Sequence, residues 1–119
     1  MSKTVNAEQP ELDRGSAREP FETAAEILRV LSHPSRLRII EILSSGELCV
    51  KRIEEILGIP QPSVSQHLSR LRYAGLIESE RRGHLVCYRL ANGVATRVLK
   101  AVMRDSESTG TNRRNEKGE

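Results

Sequence analysis

"GIPQPSVSQHLSRLRYAG", residues 58–75, decides how the chain folds. Val64, Leu68 and Leu71 recur at helical spacing and mark a buried side, and Gly75 closes the helix. With Val64 turned to the core, Ser65, Gln66, Ser69 and Arg70 point outward, and Ser63 and His67 lie on the shoulder. Upstream, residues 50–57 ("VKRIEEIL") carry Ile53, Ile56 and Leu57 on one face, and Gly58 is free to take the left-handed conformation that stops a helix. A short helix, the brief "GIP" and a second helix make a helix-turn-helix candidate.

The flanks extend this unit in both directions. After it, "LIESERRGHLVCYRL" (76–90) alternates over Val86, Tyr88 and Leu90, which predicts two antiparallel strands around a turn at Arg82 and Gly83. Before it, "SHPSRLRIIEIL" (32–43) places Pro34 in a first turn and aligns Leu37, Ile40 and Leu43 until "SSG" ends the helix. A first helix carries Phe21, Ala24, Ala25, Leu28 and Leu31 in one stripe, widened by Ile27 and Val30 beyond what one small core needs. Asn92 is placed to cap a last helix, with Val94, Val98, Ala101 and Val102 as its stripe and Ala95 and Leu99 broadening it. The fold class is mainly α with a small β-hairpin.

A length of 119 residues suits one small domain. Aromatic content is 3% with no Trp, so the core is built from Leu, Ile, Val and Ala, as in packed helices. Residues 20–105 form the folded part. Residues 1–19 and 106–119 are polar, read as disordered tails, and the "NRR" of the second reads as solvated or as touching nucleic acid. No apolar run approaches the roughly 20 residues that a bilayer demands, so a cytoplasmic protein is expected, with Cys49 and Cys87 as thiols. Net charge is +3. Residues 61–90 concentrate it, with five Arg against two Glu, which directs attention to an anionic partner.

The outward face of 61–75 fits the major groove of B-DNA, where Gln reads adenine, Arg reads guanine and hydroxyls bond to bases or phosphates. An ordinary solvated face would carry Glu and Lys instead. Candidate DNA contacts are Gln61, Ser63, Ser65, Gln66, His67, Ser69 and Arg70. Beside them, Arg81, Arg82 and His84 surround Gly83 in a positive tip suited to phosphates or a minor groove. There is no nucleophile-base-orienter set and no Gly-rich phosphate loop, so an enzyme is not expected. His33, His67 and His84 do not fall at metal-ligand spacing with one another.

"LSHPSRLRIIEIL", "ELCV", "LGIPQPSVSQHLSRLRYAGLI" and "RRGHLVCYRL", in that order, resemble the ArsR/SmtB family of bacterial and archaeal winged-helix repressors over about residues 21–105. The resemblance implies a homodimer built on the first and last helices, an imperfectly palindromic double-stranded operator bound by paired recognition helices, and release when an inducer binds. A winged helix that docks proteins without sensing an inducer is the alternative. Many arsenic-sensing members have Cys-Val-Cys where this chain has Cys49-Val50-Lys51, so a thiophilic metalloid or metal ion at Cys49 needs further ligands from Cys87, a dimer mate or a nitrogen. Zinc-sensing members use carboxylates and histidines on the last helix, which here offers Asp105 and no His. Some relatives sense persulfides or oxidants through two cysteines, but the matching positions here are not Cys. The family's short strand at Leu48 and Cys49 pairs with the wing, which brings them near the strand of Cys87. By alternation with Val86 and Tyr88, Cys87 is expected on the less buried face. Cys49 remains open as a ligand, a redox-responsive thiol activated by Lys51, or a small packing residue.

Overall fold

A computed structural model describes residues 19–104. The elements run α1 (Pro20–Leu31), α2 (Pro34–Leu43), β1 (Leu48–Cys49), α3 (Val50–Leu57), α4 (Gln61–Tyr73), β2 (Ile77–Arg82), β3 (Leu85–Leu90) and α5 (94–104). Local chemistry sets the boundaries. The Glu19 carboxylate accepts from the backbone N–H of Glu22 at 2.9 Å and opens α1. His33 does the same for α2, its Nδ1 accepting from the Ser35 N–H at 3.1 Å beside Pro34. Gly58, at φ +65°, closes α3 in the left-handed conformation that the sequence predicts, and only Ile59 and Pro60 then precede α4.

The sheet has three antiparallel strands in the order β1-β3-β2. Its two-residue turn is Gly83-His84, with Gly83 at φ +65°, one position later than the expected Arg82-Gly83. β1 pairs Leu48 with Tyr88 and Cys49 with Cys87, so β3 is the middle strand. Asn92 caps α5 as expected, its Oδ1 accepting from the Val94 N–H at 3.1 Å.

Ile39 and Ile40 of α2, Ile53 of α3, Val64, Leu68 and Leu71 of α4, and Leu76, Ile77 and Ala95 form the buried core. Each large aliphatic side chain contributes about 1.5 to 3 kcal/mol by leaving water. The terminal helices depart from the expected stripes. α1 packs inward with Ile27, Val30 and Leu31, while Phe21 is 81% and Leu28 55% exposed. On α5, Ala95 and Leu99 are the buried pair, and Val102 and Met103 face outward. One chain's core takes one face of each helix and leaves a second apolar face open. The two expected tails lie outside the described residues, apart from Glu19.

Candidate nucleic-acid interface

Three core anchors fix the rotation of α4. Because Val64, Leu68 and Leu71 are each at most 1% exposed, the 3.6-residue period turns Ser65, Gln66, Ser69 and Arg70 into solvent, and all four are exposed. Gln61 is exposed at the helix start, where its Nε2 donates to Ser65 Oγ at 2.7 Å, and Ser63 is half-buried on the shoulder. The face offers amide, hydroxyl and guanidinium groups without a carboxylate in the helix.

His67 does not belong to that face. It is only 9% exposed, and its ring lies 4.4 Å from that of His33, centroid to centroid. Arg36 explains the inward turn: its Nε donates to His67 Nδ1 at 3.3 Å, while its Nη1 donates to the Val30 carbonyl at 2.9 Å. A histidine accepting at Nδ1 carries its proton on Nε2. Burial, then the neighbouring His33, Arg36 and Arg70, push His67 below the ordinary histidine pKa and hold it neutral. His67 therefore positions α4 on the α1–α2 junction.

The wing is less free than its sequence implies. Arg82 Nε donates to Glu47 Oε2 at 2.6 Å, and its Nη2 lies 3.3 Å from Glu80. This pairing raises the Arg82 pKa and lowers that of Glu47, chiefly through their shared hydrogen bond. Arg89 is likewise held by Glu78 and Glu80, each at 3.0 Å, with Glu47 at 3.7 Å. Arg81 has no carboxylate partner among the described residues, and it stands exposed on β2 beside Gly83 and exposed His84. Of the two expected phosphate arginines, Arg81 is available and Arg82 is neutralised in place.

Cys49 and Cys87 are joined as a disulfide across β1 and β3, not held as two thiols. Cys87 is also only 2% exposed, against the expected outward orientation. It sits on the middle strand, flanked by Cys49 on one side and Glu80 on the other, so alternation along β3 alone misjudges its surroundings. Cys49, half-buried, is the N-cap residue of α3.

Sequence reasoning missed Glu47 and Arg36, whose partners lie 35 and 31 residues away. It also missed Tyr73, 93% exposed at the end of α4, where it lines a shallow cleft of about 430 Å³ with Ser69, Arg70 and Arg72 of α4 and Glu26 and Val30 of α1. The signal for Tyr73 was available: it lies outside the Val64-Leu68-Leu71 stripe.

An exposed, carboxylate-free reading helix beside a three-stranded wing defines a winged helix-turn-helix transcriptional regulator. The model of the bacterial regulatory protein arsR family matches residues 33–79. The HTH-type transcriptional repressor SmtB of Mycobacterium tuberculosis is 41% identical over 102 residues, covering 85% of this chain and 76% of that protein. Among solved structures, the transcriptional repressor BigR of Xylella fastidiosa superposes with a TM-score of 0.63 at 33% identity, over 82% of this chain and 93% of that one. A homodimeric winged helix-turn-helix DNA-binding domain of Mycobacterium bovis, a possible ArsR-family regulator, gives 0.67 at 25% identity, over 90% and 91%. The chain belongs to the ArsR family and is a DNA-binding transcriptional repressor.

Proposed function

We propose that the chain acts in the cytoplasm as a homodimer, whose two α4 helices enter successive major grooves of an imperfectly palindromic operator. The observation that carries this reading is the outward face of α4, where Gln61, Ser65, Gln66, Ser69 and Arg70 stand together in solvent. In dimers of this type, half-sites lie about 34 to 36 Å apart. Phe21 and Leu28 of α1, and Val102 and Met103 of α5, are the exposed large apolar side chains of the terminal helices, which supports dimerisation through them. The homodimeric state of the Mycobacterium bovis neighbour supports a dimer.

An inducer acting at Cys49 releases the operator. The pairing of Cys49 with Cys87 supports an oxidant or persulfide, because two sulfurs within bonding reach of each other are what a thiol-disulfide switch requires. Sedimentation of wild type and of a Phe21→Glu, Leu28→Glu variant tests the assembly. The expected result is a dimer that becomes a folded monomer with lost operator affinity; a variant that remains dimeric overturns the role of α1.

A further inference from the structure

We propose that Cys49 and Cys87 form a reversible, peroxide-reactive dithiol that controls the wing by placing Glu47 over Arg82, an inference that rests on the repressor reading above. The bond joins positions 38 residues apart, and α3, α4 and β2, which carry the DNA-reading surface, lie between them. β1 is only two residues long. Such a strand has little hydrogen bonding of its own, and beyond the packing of Leu48 and Val50 on the core the covalent link is what holds it to β3. Glu47 immediately precedes β1. While β1 is stapled to β3, Glu47 sits against Arg82 at 2.6 Å and near Arg89 at 3.7 Å, and removes Arg82 from the cations available to phosphates. Opening the bond frees β1 to leave, Glu47 with it, and Arg82 joins Arg81 at the wing tip.

The two sulfurs have different parts. Cys49, half-buried as the N-cap residue of α3, is the more accessible of the two and so the one that meets peroxide first. It attacks the terminal oxygen of a hydroperoxide, breaking the O–O bond, releasing an alcohol, or water from hydrogen peroxide, and becoming a sulfenic acid. Buried Cys87 lies directly opposite in the strand register. Its sulfur displaces the hydroxyl as water and forms the disulfide. Two thiols thus lose two electrons and two protons to one peroxide, and two equivalents of a small thiol return them by exchange.

The test uses the full chain, fully reduced or treated with hydrogen peroxide, and a labelled duplex from the region upstream of its own gene. Peptide mapping after peroxide is expected to show Cys49 linked to Cys87, with operator affinity about tenfold weaker, and a log-log salt slope shallower by about one phosphate per wing. A dithiol reductant restores both. Glu47→Gln is expected to form the same link while keeping the affinity of the reduced protein, and Cys49→Ser to ignore peroxide. Absence of the link, or equal affinity of the two forms when the reduced protein binds its duplex well, overturns the inference alone. A reduced protein with no preference for the duplex overturns the repressor reading and this inference with it.

Discussion

Gln66 and Arg70 occupy adjacent turns on the open side of α4, with Ser65 and Ser69 beside them. A bidentate contact from either to a base edge discriminates by about 1 to 3 kcal/mol. Gln66→Ala and Arg70→Ala are therefore expected to lose that much affinity for the operator and much less for random duplex; equal losses on both would remove them from base reading. His67 gives a pH prediction instead. Its pKa in the folded protein lies below the roughly 6.5 of an unfolded chain, so below that pH the unfolded state binds more protons. Stability is expected to be level above about pH 7 and to fall as pH drops through about 6.5, and the fall should diminish in His67→Gln. Denaturant midpoints across that range check it. This inward histidine was illegible in the chain, because a polar residue on a shoulder position is drawn inside only by Arg36 and His33, which helical periodicity does not link to it.

At the scale of elements, the helices were legible and the sheet only in part. α3 and α4 announce themselves because each buries a stripe of its own residues, and a stripe is a property of one segment. β1 has no stripe, being two residues long, and only the family resemblance pointed to its pairing. Cys87 was misplaced for the same reason: its burial depends on a strand far away in sequence, and on β3 being the middle strand. The wing's ion pairs follow from that pairing too. They divide two arginines that the sequence treats alike. Arg81→Ala is expected to weaken binding to any duplex and flatten the salt slope by about one phosphate per wing, whereas Arg82→Ala in the disulfide form changes little. Titrations at several salt concentrations compare them, and equal effects of the two substitutions would place Arg82 on phosphate despite Glu47.

On the scale of the whole molecule, the apolar faces of α1 and α5 exceed what one chain buries, a surplus already visible in the sequence as stripes wider than a small core needs. What the stripes do not reveal is which side turns inward. In α1 the residues that widen the stripe, Ile27 and Val30, pack against the core with Leu31, and Phe21 and Leu28 remain exposed. Positive charge follows the same division of labour, since residues 61–90 carry five Arg against two Glu within a chain of net charge +3. In the proposed homodimer both features serve one act, the docking of paired α4 helices on a polyanion. The most direct test is anisotropy of the reduced protein on its own upstream duplex and on a scrambled duplex, between about 50 and 200 mM salt. The expected result is a clear preference for the upstream duplex and affinity that falls steeply with salt on both. Equal affinity for the two duplexes, or binding indifferent to salt, would contradict it.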